Sequence, residues 1–151
     1  MKVPTNNLQF SQKFFINFEN LIRRYSLAAR IPRAVTVAPG NCQFTEEWTS
    51  VKLLKKEVVN HDTALFTFAT PDTSKPLGLS TCACILARSG ELIRPYTPIS
   101  TNDDIGEFEL LVKYYPNGSN NDGPGFSSSM WHMNEGESLD FKHIPFNVKI
   151  Q

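Results

Sequence analysis

The sequence is poor in cysteine and has no long apolar run. Its 151 residues include three cysteines, Cys42, Cys82 and Cys84, which are too few and too unevenly placed for a disulfide framework. No stretch of 18 consecutive apolar residues occurs, so the sequence predicts no membrane-spanning helix. Met1 is followed by Lys2 rather than glycine, which excludes N-myristoylation. Because the cysteines do not form a disulfide framework, we expect a protein of a reducing compartment.

A glycine-rich dinucleotide motif is also missing. No Gly-x-Gly-x-x-Gly pattern occurs anywhere in the sequence, and Gly118 and Gly123 fall in a loop between predicted strands. The motif belongs in a strand-to-helix turn, where its glycines let the backbone approach a pyrophosphate. We therefore expect no complete dinucleotide-binding domain of this type in the sequence.

Charge separates the first 35 residues from the rest. The whole chain has 15 basic and 15 acidic side chains, but residues 1–35 carry six of the basic ones and a single acid, Glu19. The remainder therefore has a net charge of −5. Such a surface repels a phosphate backbone, so we do not expect the globular part to bind nucleic acid.

The N-terminal leader has the pattern of a basic amphipathic helix. Apolar residues recur at helical spacing, with basic residues on the more polar side: Phe14, Phe18, Leu21, Ile22 and Tyr25, with Lys13, Arg23 and Arg24. This pattern is typical of a mitochondrial transit peptide, and Arg23-Arg24-Tyr25 before Ser26 resembles a matrix-protease site. The alternative is a helix that packs on the globular domain or lies on the cytoplasmic face of a membrane, giving peripheral association. We assign residues 1–47 to this leader and its linker.

From Trp48 onward the sequence predicts strands. One short helix interrupts them, so the expected fold is all-β with one short helix: a six-stranded antiparallel Greek-key barrel over residues 48–151. The predicted strands cover residues 49–59, 64–68, 81–87, 91–97, 107–115 and 138–142, with a short seventh at 148–150 and the helix at 127–134.

The fifth strand has the clearest alternation. Its expected inner face carries Phe108, Leu110, Val112 and Tyr114, and its outer face carries Glu107, Glu109, Lys113 and Tyr115. Lys113 should therefore point away from the core.

The heptad, residues 94–100 with the sequence RPYTPIS, combines a cation, an aromatic ring and two prolines. In an extended chain Arg94 and Tyr96 share a face. Pro95 and Pro98 have no N–H for a ladder, which confines the segment to a sheet edge or to the place where a strand leaves its sheet. A guanidinium can grip a phosphate and a phenol can lie on a flat ring, so the heptad suits a nucleotide cofactor. The alternative is an edge strand that an arginine and a tyrosine merely decorate.

A second candidate site precedes the predicted helix, at residues 123–129 with the sequence GPGFSSS. Glycines let the backbone approach a ligand closely, and a helix start presents N–H groups to an anion. The alternative is that the serines only cap the helix.

The pattern Arg-x-Tyr-Thr-x-x-Ser resembles the flavin-binding signature of the ferredoxin-NADP reductase superfamily, and RPYTPIS is most similar to its NADH-cytochrome b5 reductase branch. Further segments resemble that family over residues 50–151. They are His61-Asp62-Thr63, Leu77-Gly78-Leu79, Val112-Lys113-Tyr114-Tyr115, Gly123 with Ser127, and the strand from Gly136 to Phe141. The resemblance implies a six-stranded flavin barrel with one helix.

The resemblance also implies roles for individual residues. Arg94 would bind the FAD pyrophosphate and Tyr96 the ribityl chain and flavin ring, while Ser127 would hold the pyrophosphate from the helix start. Val112 would pass its backbone beside the ring, and the remaining expected contacts to FAD are Pro95, Thr97, Gly125 and Phe126. Lys113 and Tyr115 would face the nicotinamide nucleotide. Thr97 and Lys113 are the expected catalytic residues.

The sequence departs from the family pattern at several positions. Pro124 replaces a glycine, Cys82-Ala83-Cys84 stands where Gly-Gln-His is usual, and His143-Ile144 replaces Gly-Pro. The two thiols could bind metal together with His61, His132 or His143, but their spacing is not that of a metal site, so we predict none.

The largest departure is the missing NADH-binding domain. In the intact family member NADH would reduce FAD, and electrons would pass to a heme protein such as cytochrome b5. We expect this chain either to be a fragment, inactive with NADH alone, or to be a lone flavin module served by another chain. The competing hypothesis is a catalytically incomplete binding module that docks on a membrane or partner protein.

Overall fold

The computed structural model describes residues 41–81, 83–117 and 124–144. They form six strands and one helix: β1 (Thr49–Val58), β2 (Thr63–Ala69), β3 (Ile85–Ser89), β4 (Leu92–Tyr96), β5 (Glu107–Lys113), α1 (Phe126–Trp131) and β6 (Ser138–His143). The predicted all-β class with one short helix is confirmed. The predicted leader helix and the seventh strand at 148–150 lie outside the described residues. No helix in the described part is long and apolar enough to cross a membrane.

The strands form one antiparallel sheet in the order β4-β3-β6-β1-β2-β5. The sheet is a half-barrel, and β6 lies between β3 and β1 because the chain passes through α1 before it returns. The first half of β1 pairs with β6 and its second half pairs with β2. β1 therefore joins the two halves of the sheet.

A bulge explains the imperfect alternation of β1. Its register with β2 shifts between Leu53 and Lys55, so Leu54 is the extra residue. Val51 and Leu53 are buried, whereas Leu54 is 46% exposed. An extra residue bends a strand and re-aims the side chains that follow it, so one strand can serve both halves of the half-barrel.

Four phenylalanine rings form the centre of the core. Phe108 lies 5.2 Å from Phe141 and 5.7 Å from both Phe44 and Phe68, measured between ring centroids. All four side chains are at most 2% exposed. Edge-to-face and offset contacts of this kind add to the hydrophobic stabilisation from burial.

The packed structure begins before Trp48, the residue at which the sequence predicted that the barrel starts. Phe44 belongs to the core, and the Gln43 side chain donates to the carbonyl oxygens of Asp72, Lys75 and Pro76 at 2.8–3.1 Å. Its Oε1 accepts from the Asp72 N–H at 2.7 Å. A single glutamine therefore fastens the incoming chain to the loop after β2.

Several element ends differ from prediction. β3 begins at Ile85 rather than near Thr81, since a turn precedes it in which the Ala83 N–H donates to the Ser80 carbonyl. β5 ends at Lys113, two residues early. α1 ends at Trp131, three residues early, where Lys56 Nζ bonds the Trp131 carbonyl.

Glu109 is buried, although alternation placed it on the outer face of β5. It lies opposite Thr67, and the two are 3% and 5% exposed. The end of the heptad runs along this edge: the Ile99 N–H donates to the Glu109 carbonyl, and Ser100 Oγ accepts from the Glu109 N–H, both at 2.9 Å. The heptad thus leaves the β4 edge of the sheet and reaches the β5 edge, which draws the two edges together.

Candidate functional site

The first three residues of the heptad form the end of the edge strand β4, as its prolines predicted. In the β3–β4 ladder Arg94 lies opposite Ala87, and Tyr96 lies opposite Ile85. Directly opposed residues of an antiparallel pair project from the same face. Arg94 and Tyr96 therefore share one face of the sheet, and Pro95 and Thr97 are exposed beside them.

The Arg94 guanidinium is available to a ligand. The side chain is exposed, and its Nη1 donates to the Ile93 carbonyl at 2.8 Å. Among the described residues Arg94 forms no salt bridge with an acid. Most of its five N–H donors can therefore turn to an anion such as a phosphate.

The Tyr96 ring lies against the start of α1. Its centroid is 5.6 Å from that of Phe126, which is buried in the core. Burial raises the pKa of Tyr96 to about 12, against a smaller opposing effect of the Arg94 charge. The phenol therefore stays neutral at physiological pH, and its partly buried ring offers an aromatic surface beside an exposed cation.

The start of α1 is tied to the end of β5. No side chain caps the helix, because Gly125 occupies the N-cap position in an extended conformation. Ser127 Oγ instead accepts a hydrogen bond from the Tyr115 N–H at 3.1 Å. The family resemblance implies that Ser127 faces a pyrophosphate. In this structure the hydrogen bond that its Oγ accepts fixes the end of β5 against the start of α1.

Lys113 is held in an ion pair. Its Nζ lies 3.1 Å from Asp62 Oδ2 and 5.7 Å from the Tyr115 ring centroid. The ammonium lowers the pKa of Asp62, chiefly through a hydrogen bond, and the carboxylate raises the pKa of Lys113 in the same way. Both groups therefore stay charged around neutral pH, with Lys113 on the outer side as predicted.

The contacts bring six of the predicted site residues into one continuous series. Arg94 neighbours Tyr96 on β4, the Tyr96 ring meets Phe126, and Ser127 bonds Tyr115, whose ring lies near Lys113. Val112 is different, because its side chain is 5% exposed and points into the core. Its backbone alone can face a ligand.

Sequence reasoning missed Asp62 as part of this site. The residue lies in the turn before β2, and the register places Thr63 opposite Lys113. β2 and β5 are far apart in sequence, so no local pattern reports this pairing. The available signals were an acid next to the start of a strand and the family resemblance of His61-Asp62-Thr63.

A cavity of about 210 Å³ lies outside this series of residues. The loop before β3 and the loop after β4 form it, and Asn102 joins those loops by donating to the Leu79 carbonyl and accepting from the Gly78 N–H. None of the predicted site residues lines it; its lining is Leu77, Leu79, Ser80, Thr81, Ala83, Pro98, Ser100, Thr101, Asn102 and Asp103.

No metal site is found in the part of the chain that the structure describes, where no three His, Cys, Asp or Glu side chains gather. Cys82 lies outside that part. Cys42 is half-buried, and burial raises the pKa of its thiol, so it behaves as a small apolar side chain.

A six-stranded antiparallel half-barrel with a cation and a phenol on its edge strand, next to the start of its one helix, has the architecture of a reductase flavin domain. The family described as "Oxidoreductase FAD-binding domain" matches residues 50–143. The chain belongs to this family, and several of its relatives are named NADH-cytochrome b5 reductase.

Curated relatives agree over the same region. NADH-cytochrome b5 reductase 2 of Kluyveromyces lactis is 40% identical over 101 residues, which cover 64% of this chain and 32% of the relative. The Aspergillus niger protein of the same name is 34% identical over 127 residues, covering 81% of this chain and 38% of the relative. The chain thus spans about a third of the length of these relatives.

Solved structures show the same fold. The cytochrome b5 reductase domain of Ulva prolifera nitrate reductase aligns with a TM-score of 0.58 at 27% identity, over 67% of this chain and 42% of that one. Phthalate dioxygenase reductase aligns with a TM-score of 0.53 at 17% identity, over 64% of this chain and 29% of that one. At that identity the second match bears on the fold alone.

Proposed function

We propose that the surface from Arg94 to Ser127 binds FAD and that the chain is the flavin-holding part of an NADH-dependent oxidoreductase that delivers electrons to a heme protein. The observation that carries this proposal is the contact of Tyr96 with Phe126, 5.6 Å between centroids. It places the partly buried phenol beside a helix start, and the exposed Arg94 guanidinium lies on the same face of β4 as that phenol.

The residues present fit the chemistry of FAD. A pyrophosphate needs cations and N–H donors: Arg94 offers an exposed guanidinium, and Gly125 leaves the α1 start without a side-chain cap. A flavin ring needs a flat, partly apolar surface, which the neutral Tyr96 phenol supplies. Thr97, exposed directly after Tyr96, offers a hydroxyl to the ring.

The chain's own contribution to catalysis is positioning. FAD, when bound, supplies hydride acceptance and release of single electrons. Arg94 and Ser127 would anchor its phosphates, Tyr96 would orient the ring, and Lys113 with Tyr115 would meet the anionic nucleotide donor. The names of the relatives, NADH-cytochrome b5 reductase 2, support NADH as donor and cytochrome b5 as acceptor. We propose that reduction by NADH requires residues beyond this chain.

Titration of Arg94 variants with FAD tests the proposal. Arg94→Ala should weaken FAD binding by about tenfold to a hundredfold, because a hydrogen bond to a charged group is lost at the phosphate. Arg94→Lys keeps the positive charge but lacks the planar guanidinium. Its affinity for FAD should therefore lie between those of the wild-type chain and Arg94→Ala. Flavin fluorescence quenching measures the dissociation constants.

Lys52→Ala is the matched control. Lys52 is exposed on β1 opposite Ser138, so its loss removes one positive charge away from the proposed site. It should leave FAD affinity unchanged. If the wild-type and Arg94→Ala chains bind FAD with equal affinity, the proposed site is refuted. If neither chain binds FAD, the result favours the competing role as a binding module without flavin.

A further inference from the structure

Two cations stand at opposite ends of the series of site residues, and they differ in one respect. Arg94 has no acidic partner among the described residues, whereas Lys113 lies 3.1 Å from Asp62. An anionic ligand can reach the guanidinium directly. At Lys113 it meets a cation whose charge a carboxylate already balances.

Asp62 is the fixed member of the pair. Its side chain is 24% exposed and accepts a hydrogen bond from Thr63 Oγ1 at 3.0 Å. Its N–H donates to Asn60 Oδ1 at 3.0 Å, and its carbonyl accepts from the Tyr114 N–H at 2.6 Å. The backbone and the carboxylate are therefore both anchored at the start of β2.

Lys113 is the mobile member. Its side chain is 55% exposed and ends in a compact ammonium on a flexible four-carbon stem. The ammonium is 5.7 Å from the Tyr115 ring, and the Tyr115 N–H is bonded to Ser127 Oγ at the start of α1. A rotation of the stem can thus carry the charge from Asp62 towards the proposed flavin site. His61, with its Nε2 3.7 Å from Asp62 Oδ2, is the other titratable group at this carboxylate.

We infer that Asp62 is a positioning residue that acts as an internal counter-ion: a nucleotide pyrophosphate binding at the end of β5 must take the Lys113 ammonium away from it. Asp62 therefore lowers the affinity of this end of the site for phosphate. The inference rests on the proposed function, because it assigns Lys113 to an anionic nucleotide. The pyrophosphate belongs either to FAD or to the nicotinamide nucleotide.

A double-mutant cycle on the 151-residue chain tests the inference. FAD is titrated into the chain first, and NAD⁺ is then titrated into the FAD-loaded chain, so that the two sources of pyrophosphate are separated. Amide NMR shifts of Tyr115 and Thr63 report binding. Asp62→Asn should tighten one of the two ligands by about twofold to fivefold, the range typical of an exposed ion pair. Added salt should reduce this gain.

The second arm removes the cation. In a Lys113→Met chain, Asp62→Asn should change neither affinity, because no ammonium remains to be released. Asp62→Glu should restore wild-type affinity. Asp72→Asn is the matched control, since it removes an acid that pairs with Lys75 at 2.7 Å on the loop after β2, and it should have no effect on binding.

Two results would overturn the inference. One is that Asp62→Asn leaves the affinity for both ligands unchanged or weakens it. The other is that Asp62→Asn increases the affinity equally in the Lys113→Met chain. A failure of the proposed function looks different: no variant or wild-type chain would then bind FAD. A folded Asp62→Asn chain that binds FAD but gains no affinity for either ligand rejects only the role of Asp62.

Discussion

The two faces of β5 give the sharpest test of the fold that positions the site. Phe108 is fully buried and contacts three other rings, whereas Leu111 on the same strand is 46% exposed. Phe108→Ala leaves a cavity at the centre of the core and should cost about 3–5 kcal/mol. Leu111→Ala removes a half-exposed side chain and should cost less than about 1 kcal/mol.

The difference is large on the scale of the domain. A small domain is stabilised by only about 5–15 kcal/mol in total, so Phe108→Ala should lower the melting temperature by at least ~12 °C. Urea unfolding followed by the fluorescence of Trp48 and Trp131 gives the free energy of unfolding of both variants. Thermal unfolding followed in the same way gives their melting temperatures. Equal losses for Phe108→Ala and Leu111→Ala would refute the assignment of inner and outer faces on β5, and with it the position of Lys113.

Three further predictions concern other parts of the chain. Gly78→Ala should severely destabilise the protein in the same urea assay, because Gly78 has a φ of +72° and an added Cβ would collide with the Asn41 carbonyl; near wild-type stability would contradict this. Asp72 hydrogen-bonds Lys75 and Ser74, which lowers its pKa from 3.8, so its stabilising effect is complete above that value and is lost as the pH falls through the lower folded-state pKa. The difference in melting temperature between wild type and Asp72→Asn should therefore be largest near neutral pH and shrink below about pH 4, whereas a constant difference would argue against this linkage. Residues 1–35 fused to a fluorescent reporter should direct it to mitochondria, and a diffuse cytosolic signal would count against the targeting role of the leader.

Local patterns predicted much of this structure. Period-two alternation located β5 and its buried residues Phe108 and Leu110, and two prolines predicted that residues 94–98 lie at a sheet edge. These features depend only on neighbouring residues. The class, the short helix α1 and the sharing of one face by Arg94 and Tyr96 were therefore readable from the sequence.

What the sequence could not show depends on pairing between distant segments. Asp62 meets Lys113 because β2 pairs with β5, and Glu109 is buried where the end of the heptad runs along that edge. Gln43 belongs to the packed structure because its side chain fits the loop after β2, although it lies in a segment without periodicity. Register and loop packing of this kind become visible only in three dimensions.

Reconstitution of the purified 151-residue chain with FAD tests the central claim most directly. After excess cofactor is removed by gel filtration, the visible absorption spectrum and the protein concentration give the amount of flavin retained. The proposed function predicts a yellow protein with one FAD per chain. A folded but colourless chain that fails to bind FAD at micromolar concentration would contradict it.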